Sequence, residues 1–223
     1  MMGGSYLGWS QTLTASHQPE ALKGPIPTVI PLDGYTGEVY PGGVYLSGFM
    51  QNWSPFMYYA VRNNYIPGRK VTTAPVVDED FPPTYADGNP REHIYYKVSL
   101  EHHEKNYDYT EWAKDLCFYD GKSPLGHWVD ELGPTAHVNN IMASGIPIYH
   151  VGGWFDGFAR GSFELYTTME KTNPSKIIVG PGYHDYSGGP FWEFFESTEK
   201  QARKIFKVEH LRFFNRYLKD VDR

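Results

Sequence analysis

Three residues of this chain have the side-chain types of a nucleophile, an acid and a base, and each lies beside small residues. They are Ser5 in Met1-Met2-Gly3-Gly4-Ser5-Tyr6-Leu7-Gly8-Trp9, Asp156 in Gly152-Gly153-Trp154-Phe155-Asp156-Gly157, and His184 in Pro181-Gly182-Tyr183-His184. A serine hydroxyl is a poor nucleophile at neutral pH. It becomes useful when a histidine takes its proton and a carboxylate fixes that histidine's tautomer and stabilises the imidazolium. The chemistry of such a set is acyl transfer through a covalent acyl-serine. Glycines before a serine also suit a nucleophile elbow, G-x-S-x-G, where the serine occupies a strained strand-to-helix corner. Gly3 and Gly4 fit the first half of that pattern, but Leu7 stands where its last glycine belongs and Gly8 follows one residue later.

These groups can meet only if strands carry them to one edge of a sheet. Residues 6–17 tolerate a helix that Gln18-Pro19 would end. Ile26 to Leu32 reads as a short buried strand, its ladder restricted by Pro27 and Pro31. The opening is therefore strand end, serine turn, helix, strand: one crossover unit of a parallel sheet. A clearer sheet signal returns at Ile146 to Val151, a strand running into the Asp156 turn, with a helix expected from Ala159 to Lys171. Lys176 to Gly180 makes the next strand, and His184 lies in the loop after it. A final helix is expected from Thr198 to Lys219, with Ile205, Val208, Leu211, Phe214 and Leu218 as the apolar stripe that covers the sheet.

Ser5, Asp156 and His184 thus fall just past three parallel strands, the edge where open α/β sheets bind ligands. Their order is that of α/β-hydrolases rather than of the two other common triads. The expected fold class is α/β, an α/β-hydrolase parallel sheet whose N-terminal strands are missing, with an inserted, mostly helical cap. Residues 1–32 and 144–223 are assigned to the core and 33–143 to the cap, with helical patches at 44–63 and 107–115. The backbone N–H of Tyr6, next after the serine, is the expected oxyanion donor. A second donor normally comes from a loop early in the sheet, and nothing before Ser5 supplies it.

The motifs Gly-Gly-Ser-Tyr-Leu-Gly, Gly-Gly-Trp-Phe-Asp-Gly-Phe and Gly-Pro-Gly-Tyr-His resemble, in order, the nucleophile, acid and histidine motifs of the cocaine esterase, X-Pro dipeptidyl-peptidase and α-amino-acid ester hydrolase family. Leu211 to Lys219 also resembles the family's closing hydrolase-domain helix. The resemblance implies Ser5 as nucleophile, Asp156 as acid, His184 as base, and an ester or amide substrate. Gly182-Tyr183 departs from it, since the family more often has Trp and a small residue there. Family members also place several strands before the elbow, one bearing the tyrosine of the second oxyanion donor, and usually a β-sandwich after the last helix. The chain is accordingly expected to be the second half of a hydrolase domain, partnered by the missing half or another subunit. The alternative expectation is a catalytically silent fragment serving as an interaction partner.

Composition narrows the field. With 223 residues there is room for a substantial core, and 17% aromatic content, including 18 Tyr and 13 Phe, suits a cleft lined by large rings. A net charge of −6 without a basic run argues against a nucleic-acid partner. No apolar run approaches the roughly 20 residues of a membrane span, so no membrane partner is expected. The single Cys117 forbids an internal disulfide and is read as structural. Cytoplasm is favoured as the compartment, with no secretory signal in view.

Glu101-His102-His103-Glu104 lacks metal-ligand spacing and reads as a solvated helix face, so no metal and no cofactor are expected. Asp33 and Glu38, after the second strand, could recognise a substrate amino group at the cleft mouth or simply be solvated. Trp154 and Phe155 could line the acyl pocket or pack in the core. His150 reads as a packed or surface histidine, and Asp185 has a poorer position than Asp156 for the acid.

Overall fold

The computed structural model describes residues 1–61, 94–106, 118–123, 126, 131, 133–184 and 199–221. The chain divides into two compact units, one of Met1–Tyr45 with Leu125–Arg223 and the other of Leu46–Pro124. The first holds the sheet. Its strands are β1 (Met2–Gly4), β2 (Ile26–Thr28), β3 (Ile148–Gly153) and β4 (Ser175–Gly180), in that order across the sheet and all parallel. Parallel neighbours need crossover helices. Here α1 (Tyr6–Ser16) links β1 to β2 and α5 (Ala159–Met169) links β3 to β4. A short α4 (Val138–Ala143) precedes β3, and α6 (Glu199–Lys219) closes the unit.

Period-2 alternation along β3 separates two cores. Ile148 joins Ala15, Leu22, Ile30, Ile141, Leu165 and Met169 on the face covered by α1, α4 and α5. Tyr149 and Val151 join Ile26 and Phe213 on the face covered by α6. Strands buried on both faces suit a parallel sheet.

Three features differ from the sequence reading. The second strand stops at Thr28 rather than Leu32, because Val29 takes a positive φ of 46° and the chain leaves the sheet, with Ile30 still buried. The face of α6 that packs on the sheet is Phe206, Phe213, Phe214 and Tyr217, whereas Ile205, Val208, Leu211 and Leu218 are 41–59% exposed. Aromatic rings win the buried side because they reach the sheet and pack against other rings, the Phe213 centroid lying 5.6 Å from that of Tyr149 edge-to-face and 4.9 Å from that of Tyr217 in a tilted pair. Glu209 orients the same helix. It accepts from Lys176 Nζ at 2.6 Å, Arg212 Nη1 at 2.6 Å and Tyr149 OH at 3.2 Å, and the lysine and arginine hold its carboxyl down to about 2.

The third difference lies at the borders of the insertion. Residues 33–45 and 125–143, placed in the cap by sequence, belong to the sheet unit. Thr135 donates both N–H and Oγ1–H to Leu32 O, at 3.1 and 2.9 Å, and Ile141 is fully buried in the core. The second unit is described by α2 (Ser47–Val61) and α3 (Ile94–Glu104). Helix α2 falls within the expected 44–63 patch; the 107–115 patch and Cys117 lie outside the described residues. In α3, Glu101, His102 and Glu104 are exposed. Among the described residues no helix is long and apolar enough to cross a membrane.

Candidate active site

Ser5 lies between the end of β1 and the start of α1, with φ 54° and ψ −130°. A non-glycine residue at positive φ stores about 1–3 kcal/mol of strain and persists only where its surroundings over-determine it. The surroundings here are specific. Ser5 N–H donates to Thr28 O at 2.9 Å, tying the corner to β2, while Ser5 O accepts from Gly8 and Trp9 as helix α1 begins. The helix must cross the sheet closely. A Cβ on Gly8 would stand 2.6 Å from Ile30 Cγ2 and 3.0 Å from Gly3 O. Gly8 therefore performs the close-packing function of the elbow's last glycine, displaced by one residue. Leu7, where the last glycine of G-x-S-x-G would stand, points outward at 61% exposure.

Tyr6 is the first helical residue, and its N–H belongs to the first turn, whose donors lack intrahelical partners. That puts a backbone donor and the positive end of α1 beside the serine. The Ser5 hydroxyl itself has no hydrogen-bond partner among the described residues.

Asp156 and His184 come together from the ends of β3 and β4. His184 Nδ1 lies 2.9 Å from Asp156 Oδ1, and since a carboxylate only accepts, the imidazole carries its proton on Nδ1 and leaves Nε2 free as a base. The Asp156 side chain is 2% exposed and that of His184 45%. Asp156 Oδ2 is buried without a partner, so among the described residues His184 is the carboxylate's one donor. The two loops are also joined through backbone. Trp154 N–H donates to Gly180 O at 2.9 Å and Phe155 N–H to Gly182 O at 3.1 Å. A Cβ on Gly153 would stand 2.6 Å from Gly182 O, so this approach needs glycine.

The remaining candidates surround the site unequally. Glu38 sits on a one-turn π-helix, Tyr35–Val39, and is partly buried. Burial pushes its carboxyl up to about 7, and the charge of His184 pulls the other way, which places the two groups in one electrostatic neighbourhood. Asp33 supports its own turn, Oδ1 accepting from Thr36 N at 2.6 Å and Thr36 Oγ1 at 2.9 Å. Trp154 is 60% exposed with its ring 5.3 Å from Phe163, and Phe155 is 40% exposed with its ring 6.2 Å from Tyr183. Asp185 lies outside the described residues. His150 is buried in β3, both ring nitrogens unpartnered, with its ring 5.8 Å from Tyr166; burial pushes it down to about 3. Sequence reading did not single out Phe158, whose ring centroid lies 5.1 Å from that of His184 at 83°. Its place two residues after Asp156 was the available signal.

Residues 1–186 match the model of the X-Pro dipeptidyl-peptidase (S15) family. Two mycobacterial proteins named as candidate serine esterases, from Mycobacterium bovis and Mycobacterium tuberculosis, are each 27% identical to this chain over 249 residues. Those matches take in 99% of this chain and 37% of the relatives, so the chain spans little more than a third of their length. A solved carboxylesterase of the archaeon Nitrososphaera gargenis aligns over 99% of this chain and 65% of its own, at 13% identity and a TM-score of 0.41.

Proposed function

Because the chain belongs to the X-Pro dipeptidyl-peptidase (S15) family, a family of serine hydrolases, we propose that it cleaves an ester or amide through an acyl-serine on Ser5. The observation that carries this reading is the 2.9 Å bond between His184 Nδ1 and Asp156 Oδ1 at the tips of adjacent strands. Ser5 stands past the end of β1 in the same sheet, in the backbone strain of an elbow.

In the proposed reaction, Ser5 Oγ attacks the substrate carbonyl carbon and His184 Nε2 accepts the hydroxyl proton. Asp156 holds the imidazole through Nδ1–H and stabilises its positive charge. The Tyr6 N–H donates to the oxygen on which negative charge develops. His184 then gives its proton to the leaving alkoxide or amine. Water, deprotonated by the same nitrogen, releases the acid and restores Ser5. Substrates of this kind are acyl esters, α-amino-acid esters or X-Pro-type peptides, with Trp154 and Phe155 as walls of the acyl pocket and Glu38 near its mouth. In unliganded hydrolases the serine–histidine contact is often long and tightens with substrate.

The test is labelling by a fluorophosphonate together with turnover of p-nitrophenyl acetate. Wild-type chain should label and Ser5→Ala should not; labelling that survives the substitution sinks the assignment. A second reading, a silent structural partner within a larger hydrolase, is favoured by the exposed edge of β1, where Met1, Met2, Tyr6 and Leu7 are 53–67% exposed. A monodisperse wild-type chain that turns over the ester refutes it.

A further inference from the structure

We propose that Phe158 is a positioning residue for His184, setting the plane of the imidazole that the bond to Asp156 leaves free; this rests on the reading of His184 as the base. One hydrogen bond fixes where Nδ1 lies. It does not fix the rotation of the ring about the Nδ1 to Oδ1 line, and that rotation decides where Nε2 points. The need is real here, because His184 is 45% exposed at its side chain and Asp156 supplies its one hydrogen bond among the described residues.

The Phe158 ring meets the imidazole nearly perpendicularly, at 83° with 5.1 Å between centroids, within the range of favourable edge-to-face pairs. In that arrangement a turn of the imidazole out of its plane runs into the neighbouring ring. Phe158 is itself well fixed. It is 7% exposed and is the residue from which α5 departs, and Ala159 N–H bonds Asp156 O at 3.1 Å in the same turn. The turn that presents the acid therefore also presents the wall.

Phe158 belongs to neither of the two core clusters, which lie under α1, α4 and α5 on one face and under α6 on the other. It is a large apolar side chain, buried, with its ring against a half-exposed histidine.

The experiment compares wild type, Phe158→Leu and Phe158→Tyr in the full chain. Leucine keeps apolar volume without a flat ring, and tyrosine keeps the ring. Three quantities are read: the fluorophosphonate labelling rate of Ser5, kcat and KM for p-nitrophenyl acetate and butyrate, and the thermal midpoint. Misplacement of a reacting group by about 1 Å can cost a hundredfold. Phe158→Leu should lower kcat by about ten- to a hundredfold, equally for both esters, with KM within about threefold and little change in midpoint. Phe158→Tyr should recover most of the rate.

A loss seen in KM, or one that differs between acetate and butyrate, makes Phe158 a pocket wall and overturns the proposal. So does a Phe158→Leu chain that labels at the wild-type rate. Absence of labelling in the wild type overturns the serine-hydrolase reading itself, and this proposal with it. If Phe158→Leu fails to fold, wild-type kinetics in a folded Phe158→Met chain would equally overturn the positioning role.

Discussion

The sheet is two halves of unequal construction. On one side β3 and β4 are paired along six residues, from Ile148↔Ser175 to Gly153↔Gly180, and the loops after them carry Asp156 and His184, the proposed acid and base. On the other side β1 has three residues and, among the described residues, one neighbouring strand, and Ser5 follows it. Between the halves β2 and β3 share one register pair, Thr28↔Val151, reinforced by Val29 N–H to Val151 O at 2.8 Å and Tyr149 N–H to Pro25 O at 3.2 Å. The difference locates the soft coordinate of the site. The Asp156–His184 geometry is settled within its own pair of strands, whereas Ser5 is joined to that pair only through a thin seam. If Ser5 is the nucleophile and His184 the base, as proposed, one is held by backbone strain and the other by a strand ladder, and the two should fail in different ways when perturbed.

The largest expected effect breaks the stronger half at its centre. Asp156→Asn replaces the lone acceptor of His184 Nδ1–H with an amide that favours the wrong tautomer, and kcat should fall about 10⁴-fold while the fold is retained. Steady-state turnover of p-nitrophenyl acetate measures it; a loss under tenfold would show that the pair is not catalytic.

Two glycine substitutions of equal size sharpen the contrast. Gly153→Ala drives a Cβ to 2.6 Å from Gly182 O, backbone against backbone, and should part the acid and histidine loops. The expected cost is about 1–3 kcal/mol with loss of the His184–Asp156 bond. Gly8→Ala meets Ile30 Cγ2 at 2.6 Å, so it should displace the elbow and lower activity at similar cost while leaving that bond intact. Denaturant unfolding gives the energies, and the Nδ1 proton resonance of His184 separates the variants. Equal loss of that resonance in both would mean that the halves are not independent.

The stronger half was also the more legible. Gly-Gly-Trp-Phe-Asp-Gly and the strand before it have a local pattern, and β3, α5 and β4 came out within about two residues of expectation because apolar runs and Asn173-Pro174 punctuate them. The elbow was harder, since its glycine is displaced and its strand has three residues. The outward side of α6 was misjudged because Ile205, Val208 and Leu211 satisfy helical spacing as well as the phenylalanines do; periodicity marks an apolar side but not which apolar side meets the sheet. The departure of the chain at Val29 had no signal. Its φ of 46° is set by tertiary contacts, with Val151 on one side and the Ile30 core on the other. For Phe158 the place two residues after Asp156 was a signal of nearness to the site, but not of its contact with His184, which is made across two loops.

Proton binding should distinguish the halves more gently. In the acid–base half, burial depresses His150 to about 3, against about 6.5 when unfolded. The unfolded chain therefore binds more protons between those values. Stability from this group is complete above pH 6.5 and falls with acid by at most about 1.4 kcal/mol per pH unit. In the serine half Glu38 is raised to about 7 from 4.5, so the native state keeps a proton that the unfolded chain has released. Its contribution is complete below pH 4.5 and falls as pH rises to 7, with the same limiting slope. Thermal midpoints across pH should show His150→Phe removing acid sensitivity and Glu38→Gln raising stability at pH 8. Variants with wild-type pH profiles would remove both groups from the account.

The smallest effect concerns the two outer edges of the sheet. On β4, Lys176 is exposed and paired with Glu209, the kind of charged residue by which natural sheets discourage edge-to-edge association. On β1 the corresponding positions are Met1 and Met2, 53% and 60% exposed, with Tyr6 and Leu7 beside them. Among the described residues β1 has no strand on its outer side, and its exposed side chains are apolar. Met2→Lys supplies the charge that β4 already has. Being a surface change, it should alter unfolding free energy by no more than about 0.5 kcal/mol. Self-association should respond more than stability does, so light scattering of concentrated wild type and Met2→Lys is the measurement. A lower apparent mass for the lysine variant, at unchanged thermal midpoint, identifies β1 as the adhesive edge. Identical masses would mean that backbone pairing at β1 is not what holds copies together, and would shift attention to the exposed Val208 and Leu211 of α6.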